Sequence, residues 1–196
     1  MMKALLAVLV GMALSLGIAS ATVPDPTLCS VTPLDETGAV VVSPECINGV
    51  EDPPDAIVFT VNVRNANDDP IPDAFVECIF GNPGNHYICG SAVLTGTTNE
   101  DGDVTFAIAA GGCTVEDGAF RIKANNVEIR SYDHVTSPDW DGTSGDGLVN
   151  ALDLSAFGSS MGGGNSPCTD YDNNGATNAL DLAVFGASWA YGCCTP

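Results

Sequence analysis

The sequence predicts a mainly β chain, an antiparallel sandwich followed by a small helical module built on two Asp/Asn-rich loops. Between residues 56 and 130, apolar and polar residues alternate in short runs separated by turn signals, the pattern of strands with one buried face. Nearer the C-terminus two related stretches, DGLVNALDLSAFG and NGATNALDLAVFG, each pass from Asp/Asn-rich loop into an apolar segment. Eight cysteines in a strongly acidic chain fit an exported, disulfide-bearing protein.

The chain opens with Lys3, an apolar run over residues 4–16, and Ala19, Ser20 and Ala21 before Thr22. This is the pattern of a secretory signal peptide over residues 1–21. The apolar run is short for a membrane anchor, and polar, proline-bearing sequence comes directly after it. No later stretch is long and apolar enough to span a bilayer, so the expected location is secreted, extracellular or cell-surface. Removing 21 residues from 196 leaves 175, room for one medium domain and one small one. Of five basic residues, Lys3 leaves with the signal, and Arg64, Arg121, Lys123 and Arg130 remain against 25 acidic ones. Such a surface repels nucleic acid and anionic membrane and attracts divalent cations. DNA and RNA are therefore excluded as partners.

Residues 22–37 form an extended lead-in, held out of helix by Pro24, Pro26 and Pro33. With the apolar run over 39–42, this segment reads either as an edge strand or as a strand donated to a neighbouring molecule. The sandwich is expected over residues 38–132. Ile57, Phe59, Val61 and Val63 alternate with polar or outward positions, as do Val76, Cys78 and Phe80, then Val104, Phe106 and Ile108. Phe120 with Ile122, and Val127 with Ile129, continue the pattern. Turn signals stand between the runs at 67–70, 82–85, 99–102 and 125–126. Regular short strands with such turns imply an antiparallel sandwich. A two-residue turn at Asn125 and Asn126 would pair Lys123 with Glu128 and Arg121 with Arg130. That would gather three basic residues on one outward face, with one like-charge pair. The run VNVRNANDDPIPDAFVECIF, followed by TNEDGDVTFAI, resembles the immunoglobulin-like domains of bacterial surface proteins.

Eight cysteines allow 105 pairings, which spacing does not resolve. Local geometry favours Cys78 with Cys89 across a loop, and Cys168 with Cys193 or Cys194 around the second Asp/Asn repeat. Zinc is disfavoured, because CxxC pairs and histidine ligands are absent.

A linker is expected over residues 133–138 and the helical module over 139–194. The second loop, DYDNNGATNALD, has the spacing of an EF-hand calcium loop. Asp170, Asp172 and Asn174 stand at positions 1, 3 and 5, Gly175 at the sharp turn, Ala176 at position 7 for its carbonyl, Asn178 at position 9 and Asp181 at position 12. Calcium takes six to eight oxygens, which is why oxygen side chains recur at alternate positions. In the first loop Asp139 and Asp141 would be positions 1 and 3. An insertion of Thr143, Ser144 and Gly145 then brings Asp146, Leu148, Asn150 and Asp153 into the places of Asn174, Ala176, Asn178 and Asp181. A gapless alignment would instead start on Gly142, which offers no side-chain oxygen. Two Ca2+ sites are expected, the second loop being the better match.

The two loops, each leading directly into a helical segment, resemble a type I dockerin over roughly residues 137–192. In that family the two residues after position 9 contact a cohesin partner. Here they are Ala151 and Leu152 in the first repeat, and Ala179 and Leu180 in the second. The resemblance implies attachment to a cohesin-like protein or a surface scaffold, within machinery that acts on polysaccharides. Metal binding would let Leu154, Phe157, Leu182, Phe185 and Trp189 pack together, turning binding energy into folding energy.

No catalytic constellation is evident. His86 and His134 lie apart, neither beside a nucleophile, and read as surface or packing residues. Trp189 reads as core, and Trp140 lies inside the first loop. A non-catalytic calcium-binding attachment protein is therefore the expected function. The alternative is a structural subunit of an extracellular filament or adhesin, copies of the chain assembling through the sandwich and the N-terminal strand. A carbohydrate-binding sandwich ranks below both, for want of an aromatic platform on the strands.

Overall fold

The structure is a computed structural model that describes residues 23–34, 39–44, 46–47, 50–51, 57–90, 92–161 and 166–193. The expected signal peptide and Cys194 lie outside the described residues. The chain is mainly β, with two short helices near its C-terminal end.

In order, the elements are β1 (Ser30–Thr32), β2 (Ala39–Val41), β3 (Cys46–Ile47), β4 (Val50–Glu51), β5 (Ile57–Asn62), β6 (Phe75–Phe80), β7 (His86–Ile88) and β8 (Thr95–Thr97). Next come β9 (Asp103–Ile108), β10 (Ala110–Gly112), β11 (Thr114–Ala124), β12 (Val127–Thr136), α1 (Ala151–Ser159), α2 (Ala179–Ala187) and β13 (Tyr191–Gly192). One sheet has the order β1-β5-β9 and a larger one β2-β12-β11-β6-β8. All pairs in these two sheets are antiparallel except β2 with β12, which is parallel. The lead-in strands are thus paired within their own chain, and Val31, Val40 and Val42 are buried.

The alternating residues meet between the two sheets. Phe59 and Val61 of β5, with Phe106 and Ile108 of β9, pack against Val76 and Phe80 of β6 and Phe120 and Ile122 of β11. The rings of Phe59 and Phe120 cross edge-to-face at 6.3 Å between the sheets, and those of Phe80 and Phe120 lie 5.2 Å apart. Each fully buried side chain of this size contributes roughly 1.5–3 kcal/mol relative to exposure.

The β11–β12 turn is where the sequence predicts it. Asn125 and Asn126 both take positive φ (46° and 67°), which Asn tolerates and a two-residue hairpin turn requires. Lys123 is paired with Glu128. The Arg121–Arg130 pairing is corrected: Ile122 pairs with Arg130 and Arg121 with Ser131. Ile129 is the extra residue of a β-bulge, and its side chain is buried. The expected three-residue basic face is corrected with it. The Arg130 guanidinium donates to the carbonyls of Pro26 (3.0 Å) and Cys29 (2.8 Å), so it ties the lead-in to the sheet.

The expected linker at 133–138 is also corrected, since β12 runs through Thr136. The chain beyond β12 is fastened to the sheets. The Gly112 N–H donates to the Asp139 carbonyl at 2.6 Å, and the Ser137 hydroxyl donates to the Ala110 carbonyl. β13 pairs with β3, and Val149 exchanges backbone bonds with the Ala190–Tyr191 segment.

Both expected disulfide placements are corrected. Cys89 is bonded to Cys193, and Cys113 to Cys168. Cys78 points from β6 into the core and is a free thiol, while Cys89 lies beyond β7, facing the helical module. Pairs that reach 104 and 55 residues along the chain place the two halves together rather than clipping local loops. Two disulfides belong to an oxidising compartment. Among the described residues no helix is long and apolar enough to cross a membrane.

Candidate metal centre

Each helix of the module begins with the same device. Asn150 and Asn178 are N-caps whose side-chain oxygens accept the N–H groups of Leu152 and Leu180, both at 2.8 Å. Asp153 and Asp181 close the capping boxes by accepting the N–H groups of Asn150 (2.7 Å) and Asn178 (2.8 Å). The first carboxylate of each loop is turned inward by the N–H groups around a glycine. Asp170 accepts from Asn174 (3.0 Å) and Gly175 (2.7 Å), and Asp139 accepts from Asp146 (3.0 Å) and Gly147 (2.8 Å). Gly175 and Gly147 have φ of +88° and +85°, a region that favours glycine. Asn174 and Asp146 accept from Ala176 and Leu148, each at 3.0 Å. Asn178 and Asn150 donate to the carbonyls of those same residues, at 2.9 and 3.0 Å. The hydrogen bonds named so far match between the two loops when Thr143, Ser144 and Gly145 are an insertion; the gapless alignment does not match them.

The loops differ at position 3. In the second, Asp172 stays with its neighbours: carboxylate oxygens of Asp170, Asp172 and Asp181 all lie within 4.8 Å of one another. Asp181 is fully buried and also accepts from Tyr171 (2.7 Å) and Asp172 (3.3 Å). In the first, Asp141 is drawn to the insertion. It accepts from the Thr143 N–H (2.9 Å), the Thr143 hydroxyl (2.7 Å) and the Ser144 N–H (3.1 Å). Among the described residues, only the second loop gathers three acidic side chains at ion-holding distance.

The carboxylates of the first loop are shifted in opposite directions. Burial pushes the Asp153 carboxyl up to about 6, with the charges of Asp139 and Asp146 adding to it. Burial likewise raises Asp139, against the lowering effect of the Asp146 and Gly147 N–H groups. Asp141 is held low, chiefly by the Thr143 hydroxyl. The three side chains that converge in the second loop, Asp170, Asp172 and Asp181, offer hard carboxylate oxygens. That chemistry suits calcium rather than a soft metal.

The packing between the helices departs from expectation. Phe157 and Phe185 are buried with their rings 5.4 Å apart, joined by Val149 and Tyr171, and Val41 of β2 packs against the group. Leu154 and Leu182 are exposed instead of buried, and Trp189 is 45% exposed although its ring meets Phe185 at 5.9 Å. The four expected partner residues Ala151, Leu152, Ala179 and Leu180 are all exposed. Sequence reasoning missed Tyr171, whose ring stacks on Phe157 at 6.1 Å. An aromatic residue flanked by Asp170 and Asp172 gave no periodic signal of burial.

His86 has a packing role, while His134 on β12 is half-buried. His86 lies against Phe80 at 4.8 Å and bonds the Gly111 carbonyl (3.1 Å) and the Thr114 hydroxyl (2.9 Å). Burial pushes its pKa down.

No family model and no curated protein matches the chain. Among solved structures it is similar to the crystal structure of the Lin-41 filamin domain, with a TM-score of 0.31 and 14% identity over 57% of this chain and 95% of that one. A TM-score so low carries no argument about this chain.

Proposed function

We infer that this is an exported, non-catalytic calcium-binding protein whose repeat pair works as a dockerin-like attachment module beside an immunoglobulin-like sandwich. One observation carries the reading: the carboxylates of Asp170, Asp172 and Asp181 converge in a loop with calcium-type spacing. A bound calcium ion would supply the positive charge that these three carboxylates lack. Asp170, Asp172, Asn174 and Asp181 would hold it through side-chain oxygens, and Ala176 through its carbonyl. Asp181 also receives the Asn178 N–H, so order at the ion site is transmitted directly to the start of α2.

Attachment rests on the face that this orders. Leu152 and Leu180 are 60% and 63% exposed, each inside the capping box that starts its helix. Paired exposed leucines on two short helices suit an apolar patch on a protein partner, the scaffold-type partner that the dockerin resemblance implies. The disulfides and β13 hold the module as well, so ion binding tightens the loops of a module already fastened to the sheets.

Calorimetric titration of the full disulfide-bonded chain with calcium tests this reading. It predicts one ion bound at the second loop and its loss in Asp170→Ala. No calcium-dependent heat, with an unchanged thermal transition, would sink it.

A further inference from the structure

The repeats differ in what their second residue does. Tyr171 follows Asp170, is buried, and stacks on Phe157 with the rings tilted by only 15°. Trp140 follows Asp139 at the equivalent place but makes no such stack. Phe185, the counterpart of Phe157, meets Trp189 instead. The Trp140 indole is part-exposed and lines an open cleft of about 550 Å3 along one side of α1. Asp141, Leu152, Ser155, Ser159 and Ser160 complete most of its wall. The insertion shapes the other rim, because Thr143 and Ser144 hold the Asp141 carboxylate at the mouth of the cleft.

The polar atoms of this cleft are poised to accept. The Ser159 hydroxyl donates to the Ser155 carbonyl at 2.9 Å, and the Ser160 hydroxyl to the Ala156 carbonyl at 3.4 Å. With its proton so engaged, the exposed Ser159 oxygen keeps lone pairs for a ligand, while Ser160 is largely buried. Asp141 adds a carboxylate. The apolar part is one indole with Leu152 beside it. A matching ligand brings several O–H donors and a flat C–H face, and carries no negative charge, since Asp141 and a net charge of −20 repel anions. A pyranose ring has those features. A simple cation matches less well, because it would meet a single ring rather than a cage and a carboxylate oxygen that already accepts three bonds.

We propose that the cleft between Trp140, Asp141 and α1 binds a neutral pyranose unit of a polysaccharide, with the indole as stacking platform and Asp141 and Ser159 as hydroxyl acceptors. This site is on the helical module, not on the strands, and needs no metal in its wall.

The test uses the full disulfide-bonded chain, in calcium and again in EGTA. Trp189→Phe leaves Trp140 as the sole indole, since the chain has two tryptophans. Its emission is followed during titration with cello-, xylo-, manno- and N-acetylchito-hexaose, and saturation-transfer NMR reads the bound sugar protons. At least one sugar should give a saturable change with a dissociation constant of roughly 0.1–1 mM, weak but specific. Ser155→Phe, at an exposed cleft position, should weaken it at least tenfold while the thermal transition stays in place. Trp140→Ala should abolish saturation transfer. The proposal is overturned if no hexaose gives a saturable change up to about 10 mM. It is equally overturned if Ser155→Phe binds as the parent does, or if a trimethyl-lysine peptide binds and no sugar does.

Discussion

Cys113, between β10 and β11, is bonded to Cys168, two residues before Asp170, with their Cα atoms 5.6 Å apart. The covalent link therefore meets the chain just ahead of the second loop. Thr169, the residue between, shares a 2.8 Å hydroxyl bond with Thr177 on the far side of the loop. The backbone that carries Asp170 is therefore fixed from the sheet on one side and from the loop on the other.

Removing that link should cost both stability and metal affinity. A Cys113→Ser, Cys168→Ser double variant should lose about 2–4 kcal/mol in denaturant unfolding, the range for closing a loop of this size. Calcium affinity should fall several-fold with the number of ions unchanged, because the ligands remain and only their preorganisation is lost. Unaltered affinity in calorimetry would mean that the loop is held by its own hydrogen bonds alone.

Asp181 and Asp141 should respond differently. Asp181 is buried and accepts three backbone N–H groups, so Asp181→Ala leaves donors at Tyr171, Asp172 and Asn178 without partners. The expected loss is about 1–3 kcal/mol for each buried donor left unpaired, together with loss of the ion. Asp141→Ala removes an exposed turn cap and should cost only about 0.5–1 kcal/mol, with the second-loop ion kept. Unfolding curves and calcium heats of the two variants, measured together, separate the roles.

Gly111 probes the seam between sheets and module. A Cβ placed there would overlap the Asp139 carboxylate, which is itself fixed by the Asp146 and Gly147 N–H groups. Neither side can yield easily, so Gly111→Ala should destabilise by roughly 1–3 kcal/mol. A thermal transition unchanged from the parent would mean that Asp139 has room to turn away.

How far the sequence discloses this molecule depends on the range of the signal. Strand alternation is local, and Phe59, Val61, Phe106 and Ile108 are buried as their period predicts. The Asn125–Asn126 turn was legible because its backbone demands are met by those residues themselves. The bulge at Ile129 was not, since it depends on Arg130 finding carbonyls in the lead-in segment, more than 100 residues earlier. The disulfides failed for the same reason: proximity along the chain favoured Cys78 with Cys89, while the fold turns one inward and the other toward the module. In the loops, Asp170, Asp172 and Asp181 come together, and Asp146 and Gly147 donate to Asp139 as Asn174 and Gly175 do to Asp170. What three extra residues would do to Asp141 could be read only from where its hydrogen bonds go.

The buried thiols should be inert. Cys78 lies in the core, where burial pushes its pKa up to about 12, and burial raises Cys29 as well. At pH 8 the thiolate fraction of Cys78 is then about one in ten thousand. Iodoacetamide applied to the native protein at pH 8 should leave both residues unmodified by peptide mapping, and modify both after unfolding in guanidinium. Labelling of Cys78 without unfolding would show that the sheets open locally on the timescale of the reaction.

His86 and Asp153 should give the chain opposing pH dependences over the same range. The His86 pKa is lowered by burial, so the unfolded state binds its proton more readily. Its contribution is therefore complete above the unfolded value of about 6.5 and lost as pH falls through the lower folded value. Asp153, raised to about 6 in the metal-free protein, works in the other direction. Its contribution is complete below the unfolded value of about 3.9 and lost as pH rises through about 6. Wild type alone should show a shallow net slope between pH 5 and 6.5, so the informative quantity is a difference. His86→Gln, which retains hydrogen-bonding groups for Gly111 and Thr114, should lose less melting temperature than wild type on going from pH 7.5 to 5. Asp153→Asn should lose more, because the opposing gain on acidification is gone. Parallel melting curves for all three proteins across that range, in EGTA, would mean that neither group is desolvated in the folded state as its position among Phe80, Gly111 and α1 requires.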